Sequence, residues 1–257
     1  MDVSDRADEL TVLRRRLAAM SGRPDQSSVE VRDPSAGVLP IPEALSEVLP
    51  HNGIPRGVVA RFDGANSLLV ALVASVTRAG GRVGIVGMPR LSLLSAVEMG
   101  ADLSRIATVP EPGADPVEVA AVLLDGMDLV VLGRLGPTGS GTDSVAPSRA
   151  RVVAGRVRKQ SSVLLVAGAG WPGAQLSISA RVLTYRHAPL VSAPTDLDSA
   201  RSGYGRIGGM RLQVTASGRG RQSQSTEVEL VVRGQGADRT VEMVSTTAVR
   251  PVLAVAN

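Results

Sequence analysis

The sequence predicts an α/β fold: a mainly parallel sheet flanked by helices and ending in antiparallel strands. From Gly53 onward, short apolar runs alternate with helical segments, the rhythm of a parallel sheet covered on both faces. After about residue 177 the period changes to strand-like alternation, so the last strands are expected to pair antiparallel. With 257 residues, 44% apolar and 20% charged, the chain is long enough to bury a full core.

Residues 1–21 read as an amphipathic helix, with Leu10, Leu13, Leu17 and Met20 on one face between Asp5 and Met20. Acids lie in its first turn and Arg14, Arg15 and Arg16 near its end, matching the helix dipole. Residues 22–50 are rich in Gly, Pro, Ser and Asp and read as a linker or extended arm. The core spans residues 51–244. Its parallel strands are expected near Val58 to Phe62, Arg82 to Val86, Arg105 to Val109, Leu129 to Leu132 and Val163 to Ala167. Between them fit helices at Ser67 to Arg78, Leu91 to Met99, Pro116 to Asp125 and Ser148 to Gln160. The antiparallel strands follow at Ser177 to Tyr185, Met210 to Ala216, Glu227 to Val232 and Thr240 to Val244. Residues 245–257 form an apolar tail without a clear partner element.

Composition removes several kinds of chemistry. There is no Cys, and His51 and His187 are the only histidines, so thiolate metal sites, disulfides and Cys nucleophiles are excluded. No window approaches the run of roughly 18 apolar residues a spanning helix needs. The start, Met1-Asp2-Val3-Ser4-Asp5, lacks the layout of a signal peptide, so a cytoplasmic protein without membrane contact is expected. The net charge of +4 rests almost wholly on arginine, because Lys159 is the single lysine. That bias fits either a GC-rich genome or a surface selected for phosphate contact.

The stretch "GIPRGVVARFDGANSLLVALVASV" has the outline of a phosphate-binding strand, loop and helix. A P-loop needs glycines at positive φ, a lysine for the β- and γ-phosphates and a hydroxyl for magnesium. Over Gly64-Ala65-Asn66-Ser67-Leu68-Leu69-Val70-Ala71 only the first glycine stands: Leu69 takes the second glycine's place, Val70 the lysine's and Ala71 the hydroxyl's. The missing lysine removes about 1.5–3 kcal/mol, and a side chain forced into a left-handed turn adds roughly 1–2 kcal/mol. Little ATP binding is expected, and no cofactor. The other reading of the same stretch is an ordinary βα turn before a buried helix.

Gly53-Ile54-Pro55-Arg56-Gly57-Val58-Val59 resembles the segment that leads into the core strand and P-loop of the RecA recombinase family. Met99-Gly100-Ala101-Asp102, Met127-Asp128-Leu129-Val130-Val131-Leu132 and Lys159-Gln160-Ser161-Ser162-Val163-Leu164-Leu165 resemble later motifs of that family, in order. The resemblance covers about Gly53 to Leu190 and implies a RecA-like core whose ATPase chemistry is lost. Besides Val70 and Ala71, Met88 falls at the water-activating glutamate, Gly133 at the metal-side aspartate and Gly170 near the γ-phosphate sensor. Neither Met88 nor Gly133 can act as base or cation ligand.

Among RecA relatives the chain looks most like the actinobacterial ImuA-prime proteins. That resemblance implies a non-catalytic accessory factor in damage-induced (SOS) mutagenic translesion synthesis, a branch of DNA repair. Its expected partner is an ImuB-type, Y-family-like polymerase relative, with the error-prone replicative-type polymerase and RecA as further candidates. Contact would run through the terminal segments: Leu10, Leu13 and Leu17, or Val249, Arg250, Pro251, Val252 and Leu253. The N-terminal stripe could equally fold back on its own core, and the tail could be a closing edge strand, a position Pro251 favours. Arg149, Arg151, Arg156, Arg158 and Lys159 make a basic helix, read either as a solvated face or as a weak contact to DNA backbone. Trp171 and Tyr204 are expected to be the exposed aromatics. Two other classes remain open: a cell-division inhibitor like the SulA proteins, which share the RecA-like fold, and a stand-alone, non-specific DNA-binding protein.

Overall fold

The structure is a computed structural model and describes residues 37–133, 145–168, 170–188, 206–218, 220, 222–234, 238–246 and 250–251. The helix read over 1–21, Tyr204, and most of the tail lie outside the described residues. Strands β1 (Val38–Leu39) and β2 (Ile54–Pro55) form a small antiparallel ribbon. Among the described residues the main sheet has ten strands: β3 (Val59–Gly64), β4 (Val83–Val86), β5 (Ile106–Val109), β6 (Leu129–Leu132), β7 (Val163–Ala167), β8 (Leu176–Ala188), β9 (Arg206–Gly218), β10 (Gln224–Arg233), β11 (Thr240–Ser245) and β12 (Arg250–Pro251). The helices are α1 (Asn66–Arg78), α2 (Leu93–Glu98), α3 (Pro116–Leu123) and α4 (Pro147–Lys159).

The hydrogen-bonded order is β11-β10-β9-β8-β3-β7-β6-β4-β5, parallel from β8 through β5 and antiparallel from β8 to β11. The fold is thus the expected α/β arrangement, a large mostly parallel sheet flanked by helices with antiparallel strands at its C-terminal end. Strands "VGIV", "LVVL" and "VLLVA" are buried throughout, because helices cover both faces of the parallel part. One face packs on α1; the other packs on α3 and α4, which contribute Val117, Ala120, Ala150, Val153 and Val157.

Helix α1 explains its own composition. Ten consecutive residues, Leu68 to Thr77, are buried, so "SLLVALVASV" is apolar all round because protein surrounds it. That enclosure requires the antiparallel strands to turn over the helix. Register shifts in β8 between Val182 and Thr184 and between Arg186 and His187 supply local twist. Leu212, Val214, Val228 and Leu230 then join the same core cluster as Leu68, Leu69 and Leu72.

Two expectations need correction. The arm read over 22–50 becomes core from Gly37 on: Leu39, Leu45, Val48 and Leu49 are buried, and a 3-10 turn at Glu43–Leu45 packs against β11. Over 37–50 the chain is therefore not a linker, and just beyond it a β-carbon on Gly53 would lie 2.7 Å from the Leu39 carbonyl oxygen, so the ribbon packs too closely there for any other residue. Trp171, expected to be exposed, is 4% exposed and packs under α3 and α4, while Tyr185 on β8 is 52% exposed. A lone Trp between Gly170 and Pro172 gives no periodic signal of burial, so only the packing places it.

Candidate functional site

In a parallel α/β sheet, ligands bind at the carboxyl ends of the strands, where the loops to the next helices converge. Four residues of the expected ATPase site lie along that edge: Gly64 ends β3, Met88 follows β4, Gly133 follows β6 and Gly170 follows β7. The structure therefore brings those positions together on one edge.

The phosphate-loop reading does not survive at the β3–α1 turn. A cradle needs several loop residues whose N–H groups surround the phosphate, but only Ala65 separates the last residue of β3 from the first of α1. Leu69, Val70 and Ala71 are not loop residues. They stand inside α1 at 0%, 3% and 4% exposure. Leu69 is helical, so the left-handed strain expected there does not arise; the positive φ, +101°, belongs to Gly64. A β-carbon on Gly64 would overlap the carbonyl oxygen of Ala180 on β8, and that oxygen also accepts the Ala65 N–H at 2.9 Å. The neighbouring strand thus fills the space a phosphate would need.

At the other two ends the backbone is equally close. The Gly133 N–H donates to the Val86 carbonyl at 2.7 Å, and a β-carbon on Gly133 would overlap the Gly87 carbonyl and lie 2.8 Å from Met88 Cγ. An aspartate could not stand at residue 133 without moving β4. Met88 is half-buried against the core, whereas Gly170 faces open space. Among the described residues there is no group of three or more His, Asp or Glu side chains that could hold a metal ion, and no helix is long and apolar enough to cross a membrane.

Asn66 and Ser67, at the start of α1, border a cavity of about 270 Å³ whose apolar walls come from Val70, Met99, Met210, Leu230 and Val241. A second cavity of about 280 Å³ shares Met99, Leu230 and Val241 and reaches Ser75 and Arg78 at the other end of the helix. Both lie along the seam where β10 and β11 meet α1. Sequence reasoning missed this seam; its only trace is the alternation in "MRLQV" and "EVELVV", which marks one face of β9 and β10 as apolar.

The basic helix α4 divides. Arg149 is bound by Asp115, and Arg156 donates from Nε and Nη2 to Asp125 at 2.9 and 2.6 Å. The hydrogen bond from Arg149 holds the Asp115 carboxyl below the usual carboxylate range, and that from Arg156 does the same for Asp125. These pairs fasten α4 to α3, which removes Arg149 and Arg156 from the expected DNA-contacting face. Arg151, Arg158 and Lys159 are exposed and have no ion-pair partner among the described residues. In the tail, Arg250–Pro251 pairs antiparallel with Ser225 and Gln224 at the edge of β10, beside β11. Leu10, Leu13, Leu17, Val249, Val252 and Leu253 lie outside the described residues.

Comparison with known sequences places the chain among relatives. The family model of the MT3502 N-terminal domain matches residues 47–173, the parallel half of the sheet. A protein of Mycobacterium tuberculosis (strain ATCC 25618 / H37Rv), named "Uncharacterized protein Rv3395c", is 45% identical over 216 residues, covering 83% of this chain and 93% of the relative.

Proposed function

The chain belongs to the family of the Mycobacterium tuberculosis protein Rv3395c and carries the MT3502 N-terminal domain over residues 47–173, and from that premise we propose that it is a non-catalytic adaptor with a RecA-like core, acting in damage-induced mutagenic translesion DNA synthesis. The observation that carries the non-catalytic part is the Gly64-Ala65-Asn66 turn. With one residue between strand and helix, and the Ala180 carbonyl against Gly64, nothing there can wrap a triphosphate. The crowding of Gly133 by Gly87 and Met88 supports the same reading at the position of the metal-side acid.

The mutagenesis part rests on the ordered RecA-type motifs and on the ImuA-prime likeness they carry. An adaptor works by assembly, so its working parts are contact surfaces. The tail suits that role: Arg250 and Pro251 add to the edge of β10 by a two-residue ladder, a short pairing that a partner strand can extend or displace. The partner in this reading is the ImuB-type, Y-family-like polymerase relative of the same genome.

Co-purification of the tagged chain, intact and truncated after Thr247, with that polymerase relative tests the proposal. The intact chain is expected to retain the partner and the truncated chain to lose it, with both showing the same thermal unfolding. If neither retains it, the mutagenesis reading fails and a cell-division inhibitor of the SulA kind takes its place, tested by filamentation on overexpression.

A further inference from the structure

The amino edge of the parallel sheet, opposite the expected ATPase edge, collects cations. Arg56 leads into β3, Arg82 into β4 and Arg105 into β5, while Arg158 and Lys159 end the helix that leads into β7. Arg78 ends α1 on the same edge, because a helix leaving the carboxyl end of β3 must return to the amino end of β4. Contacts join these segments into one rim. The Arg105 guanidinium donates to the Gly80 carbonyl at 2.6 Å, and the Arg82 N–H donates to the Asp128 carboxylate at 2.7 Å. Arg56 reaches the other oxygen of Asp128 at 3.0 Å and the Ser161 carbonyl at 3.1 Å; Gly57 lies against the backbone of Arg158.

Charge on this rim is unbalanced. The segments entering these strands (56–58, 78–82, 99–105, 124–128 and 156–162) carry seven cationic side chains against three carboxylates. The excess of four equals the formal net charge of the whole chain. All three carboxylates are already engaged: Asp102 by Arg105, Asp125 by Arg156 and Asp128 by Arg56. Arg78, Arg82, Arg158 and Lys159 are left exposed with no ion-pair partner among the described residues.

We propose that this amino-edge rim binds the phosphate backbone of nucleic acid without sequence preference. Arg78 and Arg82 stand where α1 runs into β4, and Arg158 and Lys159 where α4 runs into β7, two strand spacings or roughly 10 Å apart along the edge, so a phosphate strand crossing the edge meets cations from both faces of the sheet. Guanidinium forks match phosphate oxygens in geometry as well as charge. Base stacking plays no part at this rim, because Trp171 and Phe62 are buried. The rim's residues all fall between Arg56 and Ser162 in the sequence, and the proposal does not depend on the polymerase contact.

Fluorescence anisotropy of the full chain with a labelled thymidine 20-mer, over a salt series, is the test. With four cations that form no ion pair among the described residues, the logarithm of affinity is expected to fall against the logarithm of salt with a slope of about −3. Joint replacement Arg82→Glu with Arg158→Glu is expected to weaken binding at least about tenfold and flatten the slope. Arg151→Glu, an exposed cation nearer the other end of α4, is expected to change binding less than about twofold. If the charge-reversed protein melts early, the pair Arg82→Gln with Arg158→Gln is used in its place. Binding that is absent or salt-independent, or that Arg151→Glu weakens equally, overturns the proposal. So does displacement of the 20-mer by polyglutamate at equal charge concentration, which would assign the rim to an acidic protein.

Discussion

Glu98 and Arg239 form an ion pair at 3.3 Å, although α2 connects β4 and β5 at one end of the sheet and Arg239 precedes β11 at the other. A flat sheet would hold these residues about eight strand spacings apart, roughly 38 Å. Their contact therefore measures how far the antiparallel strands curl over α1, and it closes the seam above Met99, Leu230 and Val241.

Breaking this pair should test the seam directly. Arg239 is partly exposed, so Glu98→Ala or Arg239→Ala is expected to cost about 0.5–1 kcal/mol in urea unfolding, and less at high salt. A double-mutant cycle in which the two losses simply add would show that the pair contributes nothing.

Restoring the missing ATPase residues should not restore ATP binding. Val70→Lys with Ala71→Thr would place an unpaired ammonium inside the core rather than in a loop, with an expected loss of about 3 kcal/mol or more in stability. Titration calorimetry is expected to show no heat of magnesium-ATP binding in the native chain or the variant. Micromolar binding by either would show that the β3–α1 turn opens.

Gly64→Ala is expected to destabilise by more than about 2 kcal/mol, because the left-handed φ penalty adds to overlap with the Ala180 carbonyl. Gly170→Ala meets no neighbouring atom and is expected to be neutral. Chemical denaturation of the two variants side by side gives the comparison.

Acid should loosen the α3–α4 fastening. Hydrogen bonds from Arg149 and Arg156 lower the carboxyls of Asp115 and Asp125 in the folded chain. Their stabilising effect is therefore present above the ordinary Asp value of about 3.9 and is lost as pH falls through the lower folded values. Both carboxyls are exposed, so the effect is small. The melting temperature of Arg156→Ala, followed from pH 6 down to pH 2, is expected to converge on that of the native chain at the acid end.

Trp171 provides an internal reporter. Its burial predicts blue-shifted emission with weak acrylamide quenching in the native state and a red shift on unfolding. Native emission at the wavelength of free indole in water would show that residues 170–175 do not close under α3 and α4.

Most of the fold was legible because it is written in short-range periodicity. "VGIV", "LVVL" and "VLLVA" announce two-sided burial, and the sequences between them carry their own helix signals: Asp115 accepting the Glu118 N–H ahead of Pro116, and Pro147 opening α4. Every strand expected from Val58 to Val244 exists within a few residues. The candidate site was legible only in part. The positions of Met88, Gly133 and Gly170 just after expected strands placed them on one edge, and the helix expected from Ser67 already left no room for a full P-loop; α1 begins one residue earlier still, at Asn66.

Sequence alone determined the type and order of the elements, the absence of Cys chemistry and the side on which most apolar residues would be buried. The first and last depend on neighbours a few positions apart, and the second on composition alone. Tertiary structure decided the rest: that Ala180 closes the turn at Gly64, that β11 returns to α2 through Arg239 and Glu98, and that Asp115 and Asp125 take Arg149 and Arg156 while Arg82, Arg158 and Lys159 form no ion pair among the described residues. These contacts join residues far apart in the chain. Their partners are selected by strand pairing, twist and close packing, which no local pattern encodes.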